Sequence, residues 1–577
     1  MSNENRRGFR RRQLLASAGA LAGIGASSAH SGPVAATAEQ VKWDRETDVV
    51  CVGSGAAACA AAITARQAGA EVILLEKMPL TGGTTLKSSG VAWIPNHPYL
   101  RARGIEDRKE DCLRYLARYA YPQHYTAESP TLGLSESNYR LLEAFYDNGS
   151  KMVEFLQDSA VIQFQEFTMW GLDTYAPDYA DHLPENKVPR GRAMEPASSS
   201  AGGGPLATTL VAWLENHGVP AHTDHRVTGL VKEGKRVVGV EVDRLGETLR
   251  IKARRGVIFG TGGYAHNAGL ISEHQTALYG SCAMPGATGD FIAIAGAAGA
   301  AMGGLHMAWR SQVQFEEAVT NRFRGLCCFV LPGDSMIVVN KYGRRVTNEK
   351  RNYNDRTRTH FYWDPTREEY TNHLQFMVFD QRSLDAFGGA YPLPTSPRES
   401  RSLIRGETWD ELVANIGKHL ENVAEHSGGV KLDENFAAEL QASRERFNGY
   451  AKTGVDKEFQ RGSHAYDADW HKLFSARRAG TAYPENPYPS LVMHPFAEEG
   501  PYYAIILAAG ALDTCGGPQI NHHAQVLDVH GEPIPGLYGA GNCIASPTRQ
   551  AYAGAGGTIG PALTFGYIAG RHVTGQS

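Results

Sequence analysis

The sequence predicts an α/β protein: a Rossmann-like dinucleotide-binding domain, discontinuous in the chain, with an α+β capping domain inserted between its parts. Three observations lead there. A complete strand, glycine turn, helix and strand unit opens the folded region at residue 48. A second glycine-ended strand, "RRGVIFGTGGYAHN" at 254–267, follows a β-rich stretch, and a third, "PIPGLYGAGN", lies near the C-terminus. The predicted division is a leader over 1–38, the first part of the dinucleotide domain over 41–280, the capping domain over 281–494 and the second part over 495–577.

Composition narrows the class. A chain of 577 residues, 42% hydrophobic and 20% charged, is long enough for two domains and excludes a disordered or fibrous protein. A formal net charge of -4 without any long basic block excludes nucleic acid as the main partner. The one arginine-rich cluster is at the start. Arg6-Arg7-Gly8-Phe9 and Arg11-Arg12-Gln13-Leu14-Leu15 are twin-arginine cores, followed by a mildly apolar stretch over 14–26 and an Ala36-Thr37-Ala38 cleavage-like triplet. A Tat-type export leader is the expectation, with a periplasmic or cell-envelope destination; a disordered basic tail is the competing reading. The apolar stretch is shorter than the ~20 residues of a spanning helix. Peripheral membrane contact stays open. The eight cysteines show no C-x-x-C spacing and no zinc-like cluster with histidine, so no metal is expected and they read as core or loop thiols, with redox activity of Cys327-Cys328 as the minor alternative.

The first unit reads "DVVCVGSGAAACAAAITARQAGAEVILLEK". An apolar strand over 49–52 enters Gly53-x-Gly55-x-x-Ala58, an Ala-rich helix runs to residue 68, and a strand over 72–75 ends on Glu76. Gly53 permits the tight turn, Gly55 lets backbone approach a pyrophosphate, and Ala58 lets the helix pack closely on the strand. Glu76 stands where a carboxylate meets an adenosine ribose hydroxyl. Gly53, Ser54, Gly55, Ala57, Ala58, Glu76 and Lys77 are therefore candidate cofactor contacts.

Two further segments separate FAD from NAD. After Glu76 a glycine- and hydroxyl-rich loop supplies Gly82, Gly83, Thr84, Thr85, Ser89 and Gly90, suited to a ribityl-pyrophosphate chain. The C-terminal strand ends at Gly541 and Asn542, and a helix is predicted from Thr558 and Ile559; Gly262 ends the middle strand. A cofactor touched by both ends of the chain is long and enclosed, which favours FAD.

With these segments in order the chain resembles the FAD-dependent 3-ketosteroid Δ1-dehydrogenase and fumarate reductase superfamily, the dehydrogenase branch more closely. "GGTTLKSSGVAWIPN", "RFNGYAKTGVDKEFQRGSHAYD", "GPYYAIILAAGALDTCGGPQINHHAQVLD" and "GLYGAGN" carry the resemblance. It implies an α,β-dehydrogenation of a hydrophobic ketone, with Tyr179 in "PDYADHLPENKVPRGR", Tyr353 in "TNEKRNY", and Tyr552 and Gly556 in "AYAGAGG" as the catalytic residues. In the implied roles flavin N5 takes the hydride, Tyr353 takes the α proton, Tyr179 passes it on, and the Tyr552 hydroxyl and Gly556 amide hold the carbonyl oxygen. Glycine is expected at 556 so that no side chain blocks that amide. Against this, the chain has 25 tyrosines, and packing is the ordinary role of most of them.

The resemblance has departures. After "GRAMEP" the long segment of many steroid dehydrogenases is absent, Arg549 is unexpected beside Tyr552, and no His-x-x-x-Arg-type dicarboxylate clamp lies in this region. A 3-ketosteroid dehydrogenase is the leading reading. The alternatives are a dehydrogenase or ene-reductase of a smaller cyclic ketone or enoate, and an exported flavin-binding electron-transfer protein. The electron acceptor is not named by any feature of the chain.

Overall fold

The structure is a computed structural model that describes residues 36–37, 41–169, 174–197, 202–322, 327–397, 400, 402–475 and 484–576. The expected leader lies outside the described residues except for Ala36–Thr37, a short strand beside Val231 and Lys232. Among the described residues no helix is long and apolar enough to cross a membrane.

Continuous apolar runs form strands covered on both faces. Arg45–Val52 lies between Val72–Leu75 and Glu247–Phe259, and Pro533–Gly539 extends the sheet beyond Glu247–Phe259, all in parallel. The three strands ending in Val52, Phe259 and Gly539 thus finish side by side. The hairpin Arg226–Glu233 and Arg236–Arg244 joins the same sheet. The predicted Ala-rich helix is Ala56–Gln67, and the C-terminal helix Ile559–Val573 packs on it at backbone distance: a Cβ at Gly566 would lie 2.3 Å from the Ala57 carbonyl oxygen, and one at Gly570 2.6 Å from that of Ala61.

The capping domain is built on a five-stranded antiparallel sheet. Tyr502–Thr514 pairs with Ala308–Gln314, Leu374–Asp380 and Ile404–Gly406, and Met336–Val339 pairs with Leu374–Asp380. One face packs under Leu412, Ile416, Phe436, Leu440 and Phe447; the other is covered by Leu384 and Phe387.

Both predicted domain boundaries move. The segment after 280 stays with the dinucleotide sheet, because Phe291 stacks on Phe259 (4.1 Å) and Met302–Gly303 pairs with Gly517–Pro518. The strand Tyr502–Thr514, assigned from sequence to the returning part, belongs to the cap. Its continuous apolar run fits a buried strand of either sheet, so pattern alone does not assign it. The cap therefore spans 308–514.

Two long-range ties hold the cap. Arg345 bonds Glu349 and Asp456, and Arg461 reaches Glu349 (3.2 Å), so the stretch before Tyr353 is fastened to "DKEFQRG" by buried ion pairs. Cys282 and Cys327 form a disulfide, which corrects the reading of these two as separate thiols; they lie 45 residues apart in sequence, and spacing carries no signal of such a pair.

Candidate active site

The carboxyl ends of the three parallel strands open on a cleft. Fourteen of the predicted contacts line it. Gly53, Ser54, Gly55 and Ala57 come from the first turn, Glu76 and Lys77 from the next strand end, and Gly83, Thr84 and Thr85 from the hydroxyl-rich loop. Gly262, Gly541, Asn542, Thr558 and Ile559 close the far side.

Close backbone approach explains the turn. Gly53 has φ +100°, and a Cβ there would lie 2.6 Å from the Gly260 carbonyl oxygen. Gly55 has no side chain to cap the helix, and the Ala56 N–H donates instead to Thr85 Oγ1 (3.0 Å). Glu76 accepts from the Ser54 N–H (3.0 Å), the Ser54 hydroxyl (2.6 Å) and the Met78 N–H (2.9 Å), so it locks the turn to the neighbouring strand end. The Lys77 ammonium is engaged by Thr288 (2.6 Å) and Asp290 (3.2 Å).

Four predicted contacts do not line the cleft. Ala58 backs Gly260, where a Cβ would lie 2.6 Å from the Ala58 nitrogen; it packs the helix on the sheet. The Gly82 N–H donates to Ser54 Oγ (2.9 Å), and Gly90 faces the Gly202 carbonyl. Ser89 is exposed, and Ser88 lines the cleft instead.

Sequence reasoning missed Asp513. It lines the cleft while buried, accepting from the Gly263 N–H (2.8 Å), the Thr514 N–H (2.9 Å) and the Asn542 amide (3.3 Å). Burial pushes its carboxyl up to about 6, despite those donors. A raised carboxyl favours the fold most below pH 4, and that contribution disappears as pH rises through 6. Urea unfolding of the ligand-free protein is expected to show a loss of up to about 3 kcal/mol across this window that Asp513→Asn lacks. Parallel pH profiles for the two proteins would exclude the assignment.

Beyond Asn542 the cleft meets an aromatic cluster. The Trp309 indole N–H donates to Asn542 Oδ1 (3.3 Å), and its ring stands edge-on to Tyr552 at 5.5 Å. The structure brings all three predicted tyrosines together here. The Tyr179 hydroxyl donates to the Tyr353 hydroxyl at 3.0 Å; Tyr179 and Tyr552 stack at 5.3 Å, and Tyr353 meets Tyr552 at 5.5 Å. Burial pushes all three phenols above their ordinary range.

Main-chain bonds set this geometry. The Tyr179 N–H donates to the Ala553 carbonyl (2.9 Å), tying it to the Tyr552 loop. Tyr353 opens the helix Tyr353–Arg358; the cap residue Asn352 accepts the Asp355 N–H and donates its amide to the Tyr179 carbonyl (3.1 Å). Before Tyr179, Asp178 accepts from Trp93 (2.7 Å), Asn186 (3.0 Å) and Arg192 (2.6 Å), and Arg192 also grips Asp107 through two 2.8 Å bonds. The Gly-Arg pair that marked Tyr179 in the sequence is thus its buried anchor.

Gly556 has φ +85°, and a Cβ there would lie 2.4 Å from the Val91 carbonyl oxygen. This corrects the reason expected for glycine: a neighbouring strand, rather than the path to the amide, excludes a side chain. Its carbonyl accepts from the Trp93 N–H (3.1 Å), while its own N–H donates to no atom of the described residues. Arg549 has φ 51° and lies over the Tyr121 ring at 5.3 Å, with its carbonyl accepting from Cys515. The described contacts of its guanidinium do not include Tyr552.

Comparison with known proteins decides the family. A model described as an FAD binding domain matches residues 48–559. The chain belongs to this FAD-binding family. It is 32% identical to 4-oxocyclohexanecarboxylate 2-dehydrogenase of Sinomonas cyclohexanicum over 92% of this chain and 93% of that protein. It is 29% identical to 3-oxosteroid 1-dehydrogenase of Mycobacterium tuberculosis, over 92% and 99%. The crystal structure of 3-ketosteroid Δ1-dehydrogenase from Sterolibacterium denitrificans with 1,4-androstadiene-3,17-dione superposes with a TM-score of 0.73 at 28% identity, covering 92% of this chain and all of that one. The protein is an FAD-dependent oxidoreductase acting on CH–CH groups, with the fold of the 3-ketosteroid dehydrogenase and fumarate reductase enzymes. The side-chain-free cradle at Gly53 and Gly260 and the open Thr558 end of the C-terminal helix suit the cofactor's pyrophosphate and flavin.

Proposed function

We propose that the enzyme introduces a double bond α,β to the carbonyl of a six-membered ring ketone, with a 3-ketosteroid as the leading substrate. The observation that carries this is the 3.0 Å pair of Tyr179 and Tyr353, packed on Tyr552 at the Asn542 end of the cofactor cleft. Gly53, Ser54, Glu76, Thr85, Gly541 and Asn542 would hold FAD, which supplies the acceptor for the hydride from the β carbon.

The protein's part is proton transfer and charge stabilisation. Tyr353 takes the α proton. It does so as the tyrosinate, a form that its burial disfavours and that the hydrogen bond donated by the Tyr179 hydroxyl stabilises. Tyr552 donates to the ketone oxygen, and the unspent Gly556 N–H is a second donor for the charge that develops there. The surrounding Val91, Met307, Trp309 and Val330 exclude water. An external electron acceptor completes the cycle.

A second reading has its own support. The 32% identity to an enzyme named for 4-oxocyclohexanecarboxylate favours a small ring ketone bearing a carboxylate. Anaerobic bleaching of the flavin by 4-androstene-3,17-dione, 4-oxocyclohexanecarboxylate and cyclohexanone separates the two. The steroid bleaches it under the first reading, the keto acid alone under the second, and absence of bleaching by any ketone overturns both.

Export through the twin-arginine route is also proposed, on Arg6-Arg7 and Arg11-Arg12. Lysine at all four positions is expected to retain the full chain in the cytoplasmic fraction. Unchanged export would remove the proposal.

A further inference from the structure

We propose that Tyr466 is a fourth hydroxyl of this site, which donates a hydrogen bond to a second oxygen of the substrate, remote from the reacting ketone. The inference rests on the ring-ketone reading above and names a further feature of the substrate.

Tyr466 lies on the helix Ala465–Ser475 of the capping domain. Its ring stands edge-on to Tyr179 at 5.1 Å and stacks on Trp470 at 5.4 Å, within the same apolar cluster as Tyr353 and Tyr552. Its side chain is wholly buried, yet its hydroxyl has no hydrogen-bond partner among the described residues. Four nearby phenols do have one. Tyr115 donates to the Ala553 carbonyl (3.0 Å), Tyr119 to Asp355 (2.9 Å), Tyr121 to the Pro547 carbonyl (2.9 Å) and Tyr179 to Tyr353.

Buried polar groups are almost always paired, and leaving one orphaned is costly. Packing alone would be served by phenylalanine. The backbone around Tyr466 is meanwhile firmly placed: its N–H donates to Asp181 (3.1 Å), and Asp467 accepts from Asn348 (2.9 Å) and the Gly462 N–H (2.9 Å). A fixed helix holding an unpaired donor against the catalytic tyrosines is the arrangement of a group completed by ligand. Burial keeps the phenol protonated, so it acts as a donor to a carbonyl, hydroxyl or carboxylate oxygen.

The test compares wild type with Tyr466→Phe as FAD-loaded proteins, using 4-oxocyclohexanecarboxylate, 4-androstene-3,17-dione and cyclohexanone. For whichever of the first two the wild type turns over, KM is expected to rise about 5–10-fold with kcat within about twofold, because one hydrogen bond of binding is lost. Cyclohexanone, which has no second oxygen, is expected to show no change. Equal effects on all ketones, or none, would overturn the proposal. Thermal melting of the ligand-free holoenzyme tests it independently of turnover. Removing an unpaired hydroxyl is expected to leave Tm unchanged or raise it, and a fall of several degrees would reveal a structural partner and end the inference. Absence of flavin bleaching in the wild type would count against the ring-ketone reading alone, with the melting result still deciding the state of the Tyr466 hydroxyl.

Discussion

Tyr353→Phe is expected to lower the rate of flavin reduction by about 10²–10⁴-fold while leaving FAD bound, since this is the span that a positioned general base contributes. The substitution removes one oxygen from a ring that is nine-tenths or more buried, and the phenylalanine ring fills the same space against Tyr179, Tyr552 and Phe329. Tyr353 is not among the residues that line the cofactor cleft, so flavin content is a clean control. The same burial predicts the pH profile. Because the Tyr353 phenol is pushed well above its ordinary range, kcat/KM of the wild type is expected to climb with pH into the alkaline range, and Tyr353→Phe should flatten that climb. Tyr179→Phe keeps the base but removes the donor at 3.0 Å, and a smaller loss is expected from it. Loss of flavin from Tyr353→Phe, or retention of wild-type rate, would refute the assignment.

The parts of this enzyme that were legible in the sequence are those whose physics is local. A tight turn, a helix start and a strand end lie within thirty residues at 48–76, and each leaves its own signature of glycine, alanine or a terminal acid. The three tyrosines were found by resemblance rather than pattern, because nothing in the periodicity of a chain with 25 tyrosines singles out three. What brings them together is a set of bonds between distant segments, such as Asn352 to the Tyr179 carbonyl and the Tyr179 N–H to Ala553. The same limit hid Asp513, a lone acid at the end of an apolar strand, and Trp309, whose tie to Asn542 spans 233 residues. The cap boundary failed for a related reason: Tyr502–Thr514 is equally apolar on both faces, and only its partners reveal its sheet.

Gly556→Ala is expected to reduce kcat/KM by about 10²–10³-fold, the cost of losing one oxyanion donor, with FAD still bound. Two mechanisms predict loss here, and they differ in what else changes. If a methyl group merely screened the amide, the loop would stay in place and stability would be little altered. The structure points the other way. At φ +85° an L-residue is strained by about 1–2 kcal/mol, and the new Cβ would sit 2.4 Å from the Val91 carbonyl and 2.6 Å from the Ala92 Cα, both backbone atoms that cannot rotate away. The loop must therefore withdraw from the Val91–Trp93 segment, breaking the Trp93 N–H bond to the Gly556 carbonyl (3.1 Å). Because Trp93 also donates to Asp178, and Asp178 precedes Tyr179, the disturbance passes to the Tyr179–Tyr353 pair as well as to the Gly556 amide. The variant should accordingly show a lowered Tm beside its lowered rate, and combining Gly556→Ala with Tyr179→Phe should cost less than the sum of the two in free energy. Full additivity at unchanged Tm would show that the amide acts alone and that the contact with Val91 yields without consequence.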